Sequence, residues 1–314
     1  MTDGIDVLVH EVGPRDGLQS IQTIFPTEAK IDWIRTEAAA GVPLIQVGSF
    51  VPPKLLPQLA DTGEVVAACK DIDGLTMTVL VPNLKGAENG MKAGAHMIGQ
   101  VISVSEAHNQ SNVRRSVQES LDDFARIVEH RDSDPAYADI VISGGLATSF
   151  GCTISGPVDP ADVMRVAEGL VERGAQRLSV ADTVGYGNPG QVKDLFTELY
   201  RTVGEDFPVG AHFHDTRGLG LANVYAALEA GVREFDASLG GLGGCPYAPG
   251  ATGNIVTEDL VFLLESMGLR TGVSLDGLVA AREIMERHLG GEPTHGTYIT
   301  AGPPKGFVPA SKAA

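Results

Sequence analysis

Positive charge and cysteine are both scarce in this 314-residue sequence. It carries 23 Lys and Arg against 40 Asp and Glu, which gives a formal net charge of −17 at pH 7. A surface field of that sign repels phosphate backbones and argues against nucleic-acid binding as the main activity. The three cysteines are Cys69, Cys152 and Cys245. This odd, sparse count argues against a disulfide framework and for a reducing compartment.

Long apolar runs are missing as well. No window reaches the roughly 18 uninterrupted apolar residues of a membrane-spanning helix. The first residues lack the basic start and apolar core of a signal peptide. From these absences we expect a cytoplasmic protein with no membrane partner. Hydrophobic residues make up 43% of the sequence, enough for a sizeable core.

Apolar, β-branched runs alternate with amphipathic stretches along the whole chain. The eight strand-like runs cover residues 7–13, 44–50, 75–81, 96–104, 138–146, 177–182, 209–214 and 234–239. Helical patterns cover 27–40, 61–70, 84–94, 111–130, 159–173, 189–203, 218–230 and 255–267. Strict alternation predicts an α/β fold with a parallel sheet, and eight units predict a closed (β/α)8 TIM barrel. A doubly wound open sheet is the alternative, but no G-x-G-x-x-G follows the first strand.

One more amphipathic helix is predicted over residues 272–290, after the eighth strand–helix unit. The segment beyond it is rich in Pro, Gly and Ala. No low-complexity linker separates a second domain. We therefore expect one TIM-barrel catalytic domain over 1–290, including the additional C-terminal helix, and an irregular tail over 291–314.

Unusual polar residues cluster where the predicted strands end. In a TIM barrel the carboxyl ends of the strands carry the active site. From strands 1, 2, 6 and 7 and the glycine-rich loop after strand 8, they are Glu11, Arg15, Asp16, Gln19, Gln46, Ser49, Asp182, Thr183, His212, His214, Cys245 and Asn254. Among these we expect substrate contacts from Arg15, Gln19, Gln46, Ser49 and Thr183.

The sequence "GAHFHDTRG" at 210–218 places two histidines on one strand. Because residues two apart share a face, His212 and His214 can both point into the barrel. Asp16 adds a carboxylate from the first strand, which adjoins the eighth in a closed barrel, and Asn254 offers an amide oxygen. Two nitrogen and two oxygen ligands suit Mg²⁺ or Mn²⁺ better than structural Zn²⁺. The alternative is a hydrogen-bonded histidine pair in a crowded barrel rim.

Two further side chains suit catalysis. Arg15 precedes Asp16 in a turn bracketed by Gly and Pro, where its permanent charge can stabilise an enolate or carboxylate oxygen. The alternative for Arg15 is an ordinary ion pair between strand ends. Cys245 lies in a glycine-rich loop that can close over the barrel mouth, where a thiol can move a proton. A buried, inert cysteine is the alternative there.

Six motifs, in order from about residue 8 to 272, resemble one known family. They read "EVGPRDGLQ", "SFVPPKLLPQLAD", "VPNLKG", "ADTVGYGNPG", "HFHDTRGLGLAN" and "GLGGCPYAPGATGNIVTEDLVFLLESMG". The sequence is thereby identified as similar to the 3-hydroxy-3-methylglutaryl-CoA lyases of the DRE-TIM metallolyase superfamily. The resemblance implies a (β/α)8 barrel that cleaves a 3-hydroxy acyl-CoA to acetyl-CoA and a ketone or keto acid. It also implies a homodimer or higher homo-oligomer.

The resemblance also implies roles for individual residues. The metal ligands it implies are Asp16, His212, His214 and Asn254. Arg15 matches the arginine that neutralises the enolate, and His212 also matches a residue proposed to transfer protons. Cys245 matches the loop cysteine that protonates the enolate, and Asp182 matches a catalytic aspartate.

The sequence departs from the family pattern on substrate-side loops. Gln46 occupies a position where the family usually has Glu. After "GLQ" this sequence has "SIQ" where the family usually has Asn-Glu-Lys, and after strand 5 it has "GCTISG" where the family usually has "GCPYEG". Glutamine in place of glutamate at position 46 removes a negative charge beside Arg15. We therefore also consider a shifted substrate, citramalyl-CoA or a 3-alkyl-3-hydroxyglutaryl-CoA. The remaining alternatives are an enzyme that condenses acetyl-CoA with a 2-keto acid and a metal-binding barrel without catalysis.

Overall fold

Eight parallel strands close into a barrel in the order in which they occur in the sequence. The computed structural model describes residues 4–243 and 253–312. The strands are β1 (Leu8–Glu11), β2 (Leu44–Ser49), β3 (Thr76–Val81), β4 (Met97–Ser103), β5 (Val141–Ala147), β6 (Arg177–Asp182), β7 (Val209–Phe213) and β8 (Glu234–Ala237). β1 pairs with β8, which completes the ring. The predicted TIM barrel is confirmed, and the open sheet is excluded.

Helices follow the strands and cover the outside of the barrel. They are α1 (Thr27–Ala39), α2 (Thr62–Cys69), α3 (Leu84–Ala93), α4 (Glu106–Val113), α5 (Val117–Asp132), α6 (Pro160–Glu172), α7 (Pro189–Val203), α8 (Gly220–Glu229), α9 (Thr257–Ser266), α10 (Leu275–His288) and α11 (Tyr298–Ala301). Asp159 caps α6 by accepting a hydrogen bond from the backbone N–H of Ala161. Within the described residues, no helix has the length and apolar character needed to cross a membrane.

The helix predicted over 111–130 is wrong in its extent. The structure has α4 and α5 there, separated by Arg114, whose φ of 57° lies in the left-handed region. Ser116 and Glu119 form a capping box that begins α5. The side chain of each residue accepts a hydrogen bond from the backbone N–H of the other residue, and a new helix therefore starts at Val117.

Apolar side chains fill the layer between the strands and the helices. Trp33, Phe124, Phe196 and Phe213 are among the largest fully buried side chains in it. The bore of the barrel is different, because small or polar residues line it, among them His10, Thr78, Gly99, Ser143, Gly145, Ser179 and Asp236. Branched apolar residues usually fill this space in a TIM barrel. Here a cavity of about 920 Å³ extends from the C-terminal rim into the bore.

The chain after the barrel packs back onto it. The additional helix is present as α10 and packs against α1. Beyond it, the backbone N–H of His295 donates to the carbonyl of Gly240 at 2.7 Å. Asp259 accepts hydrogen bonds from the backbone N–H groups of Thr297 and Tyr298. The segment after residue 290 therefore contacts the loop that follows β8 as well as α9. The domain boundary at residue 290 stays a prediction.

Candidate active site

Arg15 and Asp16 lie on a single turn of π-helix, Gly13–Gly17, directly after β1. The carboxylate of Glu11 fixes this turn by accepting a hydrogen bond from the backbone N–H of Gly13 at 2.6 Å. A side chain at Gly13 would place its Cβ 2.5 Å from Oε1 of Glu11, so only glycine fits. Glu11 also accepts from the backbone N–H of Leu239 and the hydroxyl of Thr257. One buried carboxylate thus joins the turn to the loop after β8 and to α9.

Three potential metal ligands converge on the rim above the bore. The Nε2 atoms of His212 and His214 lie 3.1 Å apart. Oδ2 of Asp16 lies 3.6 Å from Nε2 of His214 and 4.0 Å from Nε2 of His212. All three residues are buried, and one ligand atom from each lies within 4.8 Å of the others. The predicted meeting of the first and seventh strands is therefore present.

Asn254 reaches the same place through a backbone bridge to His214. Its Nδ2 donates to Oδ2 of Asp16 at 2.8 Å and to the carbonyl of Leu242 at 3.1 Å. Its Oδ1 is buried and has no hydrogen-bond partner among the described residues. An unsatisfied buried amide oxygen beside a carboxylate and two imidazoles fits a divalent cation, which would be held by Asp16, His212, His214 and Asn254.

The surroundings of Asp16 keep it charged. Burial alone raises the pKa of this carboxyl group, but Arg15, His214 and His212 together hold it well below its usual range. Nη1 of Arg15 donates to Oδ1 of Asp16 at 2.6 Å. Oδ1 pairs with Arg15, and Oδ2, which accepts from Asn254, faces the two histidines. An ionised carboxylate oxygen in that position is a ligand that suits a hard divalent cation.

Gln46 holds the other side of the arginine. Its Oε1 accepts a hydrogen bond from Nε of Arg15 at 2.8 Å. Arg15 is only 7% exposed, and it lines the cavity together with Gln46. The guanidinium is therefore fixed between one charged and one neutral acceptor beside the candidate metal site.

The other predicted site residues divide into two groups. Gln19 and Thr183 line the cavity. Nε2 of Gln19 donates to Oδ1 of Asp16, and the hydroxyl of Thr183 accepts from the backbone N–H of Thr148. Ser49 and Asp182 are buried but do not line that cavity. Cys245 lies outside the described residues.

The carboxylate of Asp182 is bound to the backbone of the loop that follows β6. It accepts hydrogen bonds from the backbone N–H groups of Tyr186 and Gly187, each at 2.9 Å. Burial raises the pKa of Asp182, although these hydrogen bonds oppose the shift. The side chain therefore shapes the loop after β6, next to the rim.

Sequence reasoning missed the residues beneath the candidate metal site. Asp236 on β8 lies 3.3 Å from Nδ1 of His212 and 3.4 Å from Nδ1 of His10. Arg177 lies beside His10 and pairs with Glu234. The inward alternation of Glu234 and Asp236 in "EFDASL" is the same signal that identified His212 and His214, and it was available in the sequence.

A closed parallel barrel that carries histidine, carboxylate and amide side chains together at its C-terminal rim is typical of metal-dependent barrel enzymes. A sequence model of the family described as HMGL-like matches residues 6–285. The chain belongs to the HMGL-like family, and it is a carbon–carbon lyase.

Individual relatives are similar to this protein over most of its chain. The hydroxymethylglutaryl-CoA lyase YngG of Bacillus subtilis is 41% identical over 287 residues, which cover 90% of this chain and 93% of that protein. The mitochondrial hydroxymethylglutaryl-CoA lyase of Arabidopsis thaliana is 39% identical over 284 residues, and the chain spans 60% of its length. A solved HMG-CoA lyase from Acinetobacter baumannii, in complex with coenzyme A and 3-methylmalate, has a TM-score of 0.90 and 40% identity. That comparison covers 98% of this chain and 99% of the other.

Proposed function

We propose that this chain cleaves 3-hydroxy-3-methylglutaryl-CoA, or a closely similar acyl-CoA, to acetyl-CoA and a ketone or keto acid, with Mg²⁺ or Mn²⁺ bound at the rim. The observation that carries the proposal is the convergence of Asp16, His212 and His214 beside Arg15. The cavity of about 920 Å³ below and around them has room for an acyl group and part of the coenzyme.

Different residues of the rim serve different steps of a retro-Claisen cleavage. Asp16, His212, His214 and Asn254 would hold a divalent cation, which would supply a Lewis acid that lowers the pKa of a substrate hydroxyl group. A base takes up the hydroxyl proton, after which the bond between C2 and C3 breaks and leaves the enolate of acetyl-CoA. Arg15 stabilises that enolate, because its charge is permanent and its position is fixed by Asp16 and Gln46. Cys245 returns a proton to C2.

A shifted substrate is the second candidate, and Gln46 favours it. A neutral amide beside Arg15 leaves the guanidinium with one negatively charged partner, Asp16, among its hydrogen-bond acceptors in the described chain. Arg15 then has charge available for a different acyl group, such as that of citramalyl-CoA or a 3-alkyl-3-hydroxyglutaryl-CoA. The ligand named for the Acinetobacter baumannii relative, 3-methylmalate, supports including malyl-type thioesters among the candidates.

A kinetic panel tests these proposals. Purified protein is incubated with 3-hydroxy-3-methylglutaryl-CoA, citramalyl-CoA and 3-alkyl analogues, with Mg²⁺ or Mn²⁺, and acetyl-CoA is measured. We expect metal-dependent cleavage with the highest kcat/KM for 3-hydroxy-3-methylglutaryl-CoA. Incubation with acetyl-CoA and 2-keto acids, followed by assay of free CoA, tests for a condensing enzyme. If the protein binds Mn²⁺ but neither cleaves any thioester nor condenses acetyl-CoA with any 2-keto acid, the result would support a metal-binding barrel without catalytic activity.

The assembly and the cellular location of the protein stay predictions. We expect a homodimer or a higher homo-oligomer in the cytoplasm. Size-exclusion chromatography with light scattering measures the mass, and a mass of 32.8 kDa, that of one chain, would contradict the predicted oligomer.

A further inference from the structure

We propose that Asp236 is a positioning residue that fixes the tautomer of His212, so that the Nε2 lone pair of this ring faces the cation site. The inference rests on the metal site of the proposed function. It assigns a role to a side chain below the rim, in the bore of the barrel. It also predicts a difference between the two histidines that the sequence places on one strand as equivalents.

The two rings have different partners on their second nitrogen. Nδ1 of His212 lies 3.3 Å from Oδ2 of Asp236, within hydrogen-bond distance. Nδ1 of His214 is buried and has no hydrogen-bond partner among the described residues. A carboxylate can only accept from the ring, so the His212 proton is fixed on Nδ1, and Nε2 is left as an acceptor or ligand. Within residues 4–243 and 253–312, no carboxylate accepts a hydrogen bond from Nδ1 of His214.

Asp236 is itself held in place from below. Its Oδ2 also accepts from the hydroxyl of Ser179 at 3.4 Å, and its Oδ1 lies 3.4 Å from Nδ1 of His10. Nη2 of Arg177 lies 3.1 Å from the same nitrogen of His10. Asp236 is only 4% exposed. Because a guanidinium can only donate, Nδ1 of His10 accepts from Arg177, and the hydrogen bond that orients Asp236 from below comes from Ser179 on β6. The orientation of His212 therefore does not depend on a bound ion.

The contact between the two histidines then fixes the metal-free state of both rings. The Nε2 atoms are 3.1 Å apart, so one of them must donate to the other. If His212 carries its proton on Nδ1, then His214 carries its proton on Nε2 and donates it. Ligation of a cation through Nε2 requires His214 to move that proton to Nδ1. His212 binds without any such change.

Long-range ¹H–¹⁵N spectra of protein labelled with ¹⁵N-histidine test this directly, because the ¹⁵N shifts separate the two neutral tautomers. The spectra are recorded on the metal-free wild type at a pH where the rings are neutral and again after addition of Mg²⁺. His212→Gln and His214→Gln variants serve for assignment. We expect the Nδ1–H form for His212 in both spectra. We expect His214 to change from Nε2–H to Nδ1–H when Mg²⁺ is added. An Nε2–H form of His212 in the metal-free wild type would overturn the proposal.

Substitution of the positioning residue gives a second test. Asp236→Asn introduces an amide that can donate to Nδ1 and so allows the wrong tautomer of His212. We expect the tautomer to change and the affinity for Mn²⁺, measured by electron paramagnetic resonance titration, to fall about 10–100-fold. Glu234→Gln is the matched control, since Glu234 faces inward on the same strand and pairs with Arg177 instead of His212. Its Mn²⁺ affinity should equal that of the wild type.

The outcomes separate this proposal from the proposed function. Native His212 tautomer and Mn²⁺ affinity within twofold of wild type in Asp236→Asn would refute the positioning role. If Glu234→Gln also changed the His212 tautomer and lowered the Mn²⁺ affinity, the positioning role would be refuted as well. Any loss of charge in the bore would then have the same effect. If Asp236→Asn does not fold, the wild-type spectra alone decide. Wild-type protein that gives the predicted spectra but cleaves no thioester leaves the positioning role standing and refutes the lyase.

Discussion

Nε2 of His214 and Oδ2 of Asp16 lie 3.6 Å apart, although 198 positions of the sequence separate the two residues. The closed barrel brings them together, because β8 joins β1 and lies beside β7. The backbone bridge from His214 to Asn254 then adds the amide. Each of these contacts supports a ligand role for His214 without depending on Cys245 or on the identity of the acyl group.

His214→Ala should therefore abolish tight metal binding. Loss of one of two nitrogen ligands is expected to weaken Mn²⁺ binding by about 100-fold, on the order of 3 kcal/mol. Isothermal titration calorimetry with Mn²⁺ measures the effect. His108→Ala is the control, since His108 lines the same cavity and hydrogen-bonds to Ser103 away from the three ligands. Unchanged metal affinity in His214→Ala would remove it from the ligand set.

Gln46→Glu should raise activity on 3-hydroxy-3-methylglutaryl-CoA. A carboxylate would accept the hydrogen bond from Nε of Arg15 that Gln46 now accepts at 2.8 Å. Charge-assisted hydrogen bonds are about twice as strong as neutral ones, so we expect a gain of roughly 1 kcal/mol, or about fivefold in kcat/KM. Gln46→Leu, which removes the acceptor, should lower kcat/KM. Equal activity of Gln46→Glu and wild type would leave the departure at this position unexplained.

The fold was largely predictable from the sequence, because strand and helix periods alternate cleanly. The predicted run at 177–182 coincides with β6 and the pattern at 189–203 coincides with α7. The break between α4 and α5 was missed, since it depends on the left-handed backbone of Arg114 and no glycine marks it. An amphipathic pattern that continues through such a residue looks like one helix.

The candidate site was predictable as a set of residues but not as a network. Alternation on β7 identified His212 and His214 as neighbours on one face. The contact between Asp236 and His10 depends on the register between β1 and β8, which no local pattern encodes. The role of Glu11 was hidden for a similar reason. Its partners Leu239 and Thr257 are more than 200 residues away in the sequence and meet it only in the folded barrel.

Glu37→Gln should change how stability depends on pH. Glu37 is fully buried, and burial together with the neighbouring Glu11 raises its pKa well above the usual value of 4.5. The folded protein therefore holds a proton that the unfolded chain releases near pH 4.5. The stabilisation is complete below that pH and is lost as the pH rises through the folded pKa.

A glutamine at position 37 stays neutral at every pH and removes the contribution of Glu37, whereas Glu11, whose pKa burial raises to about 7, is present in both proteins. We expect the free energy of unfolding of Glu37→Gln, relative to wild type, to become more favourable as the pH increases above 4.5. Urea unfolding of both proteins between pH 5 and pH 8 measures it. Glu28→Gln, an exposed position on the same helix, should run parallel to wild type. A constant difference between Glu37→Gln and wild type would contradict the raised pKa.

Cys245→Ser should separate binding from turnover. The resemblance of "GLGGCPYAPGATGN" to the family motif implies that this thiol protonates the enolate, and a serine hydroxyl of similar size is a much weaker acid. We expect unchanged Mn²⁺ affinity and similar KM, with kcat lowered by at least 100-fold, on the order of 3 kcal/mol. Cys152→Ser is the control, because Cys152 is buried and its Sγ accepts from the backbone N–H groups of Ile154 and Ser155. Its kcat should stay within a few-fold of wild type. Full turnover by Cys245→Ser would assign the final proton transfer to another group.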